Sequence, residues 1–174
     1  MSIINVVGAK IWGGGEQYVY DICKQLQQRH RTAYILVDQS NEDMQSRYAQ
    51  VGHVMTANLY TLKGFLSVNA VAKQMKEQGI NTIVCHSGKY ILFCIALKQL
   101  TGAKLVFIKH NLVPGKTDMY HRWINAQVDA FVCVSKLVYD DLMTPAIKDT
   151  SKYHVVYNGI DPIPVIFRCC SHEI

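Results

Sequence analysis

Short apolar runs recur along this chain, and each is followed by a stretch whose apolar positions repeat at helical spacing. Ile3 to Val7 has no polar alternation and reads as a buried strand. After the glycine cluster Gly13-Gly14-Gly15, the positions Val19, Ile22, Cys23 and Leu26 mark one face of a helix, with Glu16 in its first turn and Arg29 and Arg31 closing it. Tyr34 to Val37 supplies a second strand. A polar stretch from Met44 to Gln50 is read as a helix and His53 to Met55 as a strand. Val68, Val71, Ala72 and Met75 predict a helix that Gly79 terminates, ahead of a strand at Thr82 to Cys85. The alternation continues with a helix over Tyr90 to Leu100, a strand at Leu105 to Ile108, a helix at Thr117 to Ala126 and a strand at Ala130 to Val134. Lys136 to Met143 makes one more helix, and a last strand at His154 to Tyr157 runs into a turn at Asn158-Gly159-Ile160-Asp161-Pro162. Strands alternating with helical stretches predict an α/β domain, a doubly wound, mostly parallel sheet of six or seven strands with helices on both faces.

Composition agrees with one packed domain. The 174 residues are 49% hydrophobic and 18% charged, far from the balance that keeps a chain disordered. No apolar run approaches the length of a membrane span, and the N-terminus lacks a signal-peptide pattern, so a cytoplasmic protein is expected. A net charge of +5 favours anionic ligands without choosing among them. Cys23, Cys85, Cys94 and Cys133 each lie in an apolar segment, which predicts reduced, buried thiols. Cys169, Cys170 and His172 are not read as a metal site, because adjacent thiols cannot easily point at one ion.

Ligands of open α/β sheets bind beyond the carboxyl ends of the strands, so the residues there are the candidates. They are Gly14, Gly15 and Glu16 after the first strand, His86 and Ser87 after the Thr82 strand, and His110 and Asn111 after the Leu105 strand. Ser135 and Asn158 follow the last two strands. The glycines either let backbone approach an anion at a helix N-terminus or form a flexible connector. Neither a GxGxxG fingerprint nor a GxxxxGK[ST] loop occurs, so no dinucleotide or P-loop cofactor is expected. His110 is favoured over His86 as a ligand contact because Lys109 and Asn111 flank it, whereas His30, His53, His121, His154 and His172 are read as surface or packing residues. Ser135 lacks the small neighbours of a nucleophile elbow and reads as a helix cap.

Taken in order, Gly13-Gly14-Gly15-Glu16, V-C-H-S at Val84 to Ser87, F-I-K-H-N at Phe107 to Asn111, F-V-C-V-S-K at Phe131 to Lys136 and V-V-Y-N-G-I-D at Val155 to Asp161 resemble the N-terminal domain of family 4 glycosyltransferases of the GT-B fold. The resemblance covers residues 3–161. It implies a Rossmann-like acceptor-side domain at 1–161, facing across a cleft a second domain that holds a nucleotide-sugar donor. It also implies transfer with retention of configuration and without a metal, to a glycan or lipid-linked acceptor. His110 matches the family's strand-end histidine near the transferred sugar, and Gly14 and Gly15 would lie near donor phosphates or acceptor. The E-x7-E motif of the donor domain is absent, so the chain is expected to be inactive alone, with residues 162–174 a tail or truncation remnant. Lipid-linked acceptors would bring a peripheral association with the inner membrane face through Asn41 to Phe65, while nucleic acid is not an expected partner. Two alternatives stay open: a stand-alone module binding a phosphorylated or sugar ligand, and another GT-B enzyme such as a sugar-nucleotide epimerase.

Overall fold

The computed structural model describes residues 2–60, 64–143 and 150–159. The expected turn at 160–162 and the tail lie outside them. Seven strands form one sheet, β1 (Ser2–Val7), β2 (Tyr34–Asp38), β3 (His53–Ala57), β4 (Ile80–Cys85), β5 (Lys104–Lys109), β6 (Ala130–Cys133) and β7 (Tyr153–Val155). Their order is β3-β2-β1-β4-β5-β6-β7 and every pairing is parallel. The helices between them are α1 (Gly14–Gln28), α2 (Glu42–Tyr48), α3 (Gly64–Glu77), α4 (Ile91–Thr101), α5 (Met119–Gln127) and α6 (Lys136–Leu142). This is the doubly wound, Rossmann-like arrangement, its order reversing between β1 and β4.

The period of two in the strands sorts side chains into two cores. Ile4 and Val6 of β1, Leu36 of β2, Ile83 of β4 and Leu105 of β5 join Val71 and Met75 of α3, Cys94 and Leu97 of α4, Ile124 of α5 and Val138 of α6. On the other face, Val7 of β1 and Ile35 and Val37 of β2 pack against Val19 and Cys23 of α1 and Met44 and Tyr48 of α2. Cys23, Cys85, Cys94 and Cys133 are buried and unbridged, as their apolar settings imply.

Helix ends differ from the sequence pattern where local hydrogen bonding decides. Gly13 is the N-cap of α1, so Gly14 and Gly15 occupy its first turn and are not a connector. A 3-10 turn at Gly88–Tyr90 precedes α4, because Ser87 Oγ accepts from Lys89 N and opens a tighter turn first. α5 begins at Met119 because the Asp118 carboxylate caps it. Gly79 and Gly102 stop α3 and α4 with left-handed φ of 63° and 71°, the conformation a helix exit requires. The last strand ends at Val155, since β6 offers only Phe131 to Cys133 as partners.

The N-terminal edge of the sheet is closed by charge. Asp129 ahead of β6 accepts from Lys98 Nζ and from Leu105 N, both at 2.7 Å, and Lys152 Nζ donates to Asn125 and Val128 carbonyls. At the opposite edge, Gly8 ends β1 in a tight corner, where an added Cβ would meet Tyr60 Oη and Tyr90 Cε1 at 2.9 Å. Gly8→Ala is therefore expected to destabilise the fold by about 1–3 kcal/mol through overpacking, measured by urea unfolding; an unchanged midpoint would refute the corner's tightness.

Candidate functional site

The reversal of strand order opens the C-terminal edge, and two histidines meet there. His86 follows β4 and His110 follows β5, and His86 Nδ1 lies 3.0 Å from His110 Nε2 with the rings stacked at 5.4 Å. Asn5 is one of three buried polar or charged side chains among the described residues, and its Oδ1 lies 3.1 Å from His86 Nε2. A carboxamide oxygen only accepts, so His86 carries its proton on Nε2 and leaves Nδ1 bare to accept from His110 Nε2–H. His110 Nδ1 is then a lone pair without a hydrogen-bond partner among the described residues. Asn5 Nδ2 in turn donates to Cys23 Sγ at 3.9 Å, where burial pushes the thiol up to about 12 and keeps it protonated.

Burial first, and the neighbouring His110 second, push the His86 pKa down to about 3, and burial also lowers His110. Both rings are neutral near pH 7. Tyr18 of α1 sets its ring edge-on to both, at 6.2 Å from His86 and 5.2 Å from His110. A Cβ on Gly15 would lie 3.8 Å from the His110 ring, whereas one on Gly14 would meet nothing. The first turn of α1 thus stands open beside the histidine pair. Glu16 turns back as a cap, its Oε2 accepting from Gly13 N at 3.1 Å, and Tyr48 Oη donates to the Glu16 carbonyl at 3.0 Å. Trp12 packs on Tyr48 at 5.3 Å beneath Arg47, and Asn41 Nδ2 donates to the Ala9 carbonyl, which together hold the loop before α1.

A cavity of about 350 Å³ lies beside the pair, between the ends of β4 and β5 and helix α5. His86, Ser87, His110 and Asn111 line it, so four of the residues singled out from sequence share one wall. Ser135 and Asn158 do not line it. Ser135 Oγ accepts from Val138 N as the cap of α6, and Asn158 is exposed beside a wider depression of about 900 Å³ between α1 and Tyr157. His121, read as a surface or packing residue, lines the cavity with Nδ1 held 2.6 Å from Asp118. Asn5, Tyr18, Lys116 and Tyr120 were not legible as site residues. For Asn5 the only signal is an amide inside the run Ile3 to Val7.

Asp38 ends β2, where dinucleotide-binding folds place the carboxylate that takes a ribose. Both of its oxygens accept within the chain, Oδ1 from Ser40 and Oδ2 from Leu59 N, and the side chain is buried. Among the described residues no group of three His, Cys, Asp or Glu side chains could hold a metal.

The family model of Glycosyltransferase Family 4 matches residues 12–163, and the chain belongs to that family. No curated protein matches the sequence. Among solved structures, a glycosyltransferase from Rickettsia africae is similar at 18% identity and TM-score 0.78, covering 92% of this chain and 43% of that one. Anabaena HepE in complex with UDP-glucose is similar at 17% identity and TM-score 0.70, over 92% of this chain and 44% of its own. UDP-GlcNAc 2-epimerase from Neisseria meningitidis, bound to UDP-GlcNAc, reaches TM-score 0.61 at 9% identity over 91% of this chain and 47% of its own. The glycosyltransferases among these share the GT-B fold, and the chain spans a little under half the length of each.

Two outcomes follow. Between about pH 6.5 and about 3 the unfolded His86 binds a proton that the folded ring refuses, so stability should be lost as the pH drops through that window, by up to about 1.4 kcal/mol per pH unit from this group. Urea unfolding of wild type and His86→Gln should show the steeper acid loss in the wild type; parallel losses would refute it. Gly14→Ala and Gly15→Ala should leave stability equal or raise it by about 0.4–1 kcal/mol, because neither Cβ clashes; a melting temperature several degrees lower would show that these glycines serve the fold.

Proposed function

We propose that the chain is the acceptor-side half of a retaining glycosyltransferase, which passes a sugar from a nucleotide-sugar donor to a glycan or lipid-linked acceptor. The observation that carries this reading is the neutral His86–His110 pair at the mouth of a cavity on the open edge of the sheet. A neutral His110 with a free Nδ1 accepts a hydrogen bond from a sugar hydroxyl without adding charge beside a developing oxocarbenium centre, and Asn5 fixes the tautomer that leaves Nδ1 bare. The donor class is supported by family membership and by the UDP-glucose complex of the Anabaena neighbour. A donor phosphate at the first turn of α1 would use the Gly14 and Gly15 N–H groups, since Glu16 already occupies Gly13.

Charge stabilisation of the leaving diphosphate comes in this scheme from a second domain, so the chain alone binds acceptor and does not transfer. In the described residues no helix is long and apolar enough to cross a membrane. A cytoplasmic enzyme with peripheral contact at the inner membrane face fits the lipid-linked option. Among the described residues of the region expected to make that contact, Met44 and Tyr48 are buried in the core, while Arg47 and Tyr60 are exposed.

Fusing the chain to the donor domain of a GT-B enzyme tests the reading. His110→Ala should lower kcat at least about tenfold, the worth of one hydrogen bond made near the transition state, measured well below a melting temperature that loss of the donor to His86 Nδ1 should itself lower. Wild-type transfer by the variant would remove the role given to His110. Calorimetry of the unfused chain should find UDP-glucose weakly bound at best, and tight binding would contradict the division into halves.

A further inference from the structure

Beyond β5 the chain runs along the cavity as a strap fixed at both ends. His110 is held by His86, and Asp118 caps α5 at the far end. Between them, residues 111–117 form no backbone–backbone hydrogen bond among the described residues, and Pro114 has no N–H to give. Asn111, Val113 and Lys116 line the cavity, and most of the strap is exposed. Among the described residues one hydrogen bond ties it down: Lys109 Nζ donates to the Val113 carbonyl at 3.1 Å. That bond closes a loop around His110 and Asn111, two of the residues singled out from the sequence.

Lys109 has a second partner nearby. Asp141 of α6 carries the one buried side-chain oxygen or nitrogen, Oδ2, that lacks a hydrogen-bond partner among the described residues. Its charge acts on Lys109, although the two form no ion pair. Cys133, the other group acting on Lys109, is kept protonated by burial, so Asp141 is the anion. Burial lowers the Lys109 pKa, which makes a carboxylate a better partner for it than a neutral carbonyl. A buried carboxylate oxygen without a donor is itself destabilising. Turning Lys109 from Val113 to Asp141 satisfies both groups and unties the strap, and since Val113 is exposed, water replaces the lysine at its carbonyl. Neither arrangement is best in every respect: the first leaves Asp141 Oδ2 bare and the second gives up the strap, the balance that a two-state element needs.

We propose that Lys109 is a positioning residue with two partners: bonded to Val113 it holds the strap, with His110 and Asn111, against the cavity, and turned to Asp141 it releases the strap and opens the cavity to its ligand. The inference deepens the acceptor-side reading by giving its cavity a gate, and it rests on that reading only for what enters. Trypsin cleavage between Lys116 and Thr117 in the folded 174-residue chain, followed by mass spectrometry well below the melting temperature, reports release of the strap whether or not any sugar is transferred. Asp141→Asn keeps the shape and removes the charge of the second partner, and should slow that cleavage about threefold or more. Lys109→Met should speed it about threefold or more and abolish the effect of Asp141→Asn, while Lys109→Arg should restore the wild-type rate. If Asp141 served only to keep Lys109 charged, its loss would weaken the clamp, so unchanged or faster cleavage in Asp141→Asn overturns the proposal. Equal slowing by Asp141→Asn in the Lys109→Met background overturns it as well. A strap that responds as stated, in a chain whose donor-domain fusion transfers no sugar, leaves the gate standing and removes the transferase reading. Transfer by a fusion whose strap ignores Asp141 has the reverse meaning.

Discussion

The parallel pairing of β1 with β4 is the contact on which the rest of this molecule depends. Its register sets Asn5 against Val84 and Val6 against Cys85, so the residue after β4, His86, arrives above the Asn5 carboxamide. β4 in turn sets Cys85 against Phe107 of β5, and three residues later His110 reaches His86. Strand pairing with a side-chain period of two leaves no freedom here, since a slip of one residue would turn Asn5 into the opposite core. A buried amide without partners costs about 1–3 kcal/mol, and at Asn5 that cost is met by the histidine it orients and by Cys23. The polar chain Asn5–His86–His110 is thus both a packing solution and the core of the site.

The two edges of the sheet have opposite electrostatic characters. At the N-terminal edge Asp129 is saturated by Lys98, Lys104 and a backbone N–H, and Lys152 spends its donors on carbonyls. The C-terminal edge receives the first turns of α1 and α4, two neutral imidazoles and two lysines around one cavity. Helix N-termini point at that edge in every right-handed crossover, which is why an anion or a sugar hydroxyl is served there and not at the other edge. Asp38 is the exception at that edge, since its carboxylate is buried and closes a turn through Ser40 and Leu59 N.

Much of this was legible along the chain. Unbroken apolar runs marked the strands because both faces of a parallel sheet are buried, and Gly79 and Gly102 marked helix ends because only glycine enters the left-handed region without strain. His86, Ser87, His110 and Asn111 were found by one rule, that the residue after a strand looks into the crevice. The same rule also named Ser135 and Asn158, which follow the outer strands β6 and β7, away from the β1–β4 reversal, and do not line the cavity. It also passed over His121 and Lys116, which reach the cavity from α5 and from the segment before it and not from a strand end.

Local pattern, then, determined the α/β alternation, the parallel sheet and the set of polar residues at strand ends, because periodicity and capping act over a few residues. The family resemblance was also carried by short ordered segments. Only the tertiary structure decided that His86 and His110 bond to each other, that Asn5 sets their tautomer, and that Asp38 closes a turn. Those facts depend on register between strands far apart in sequence, Asn5 and His86 being 81 residues apart, and no window of neighbouring residues contains both partners.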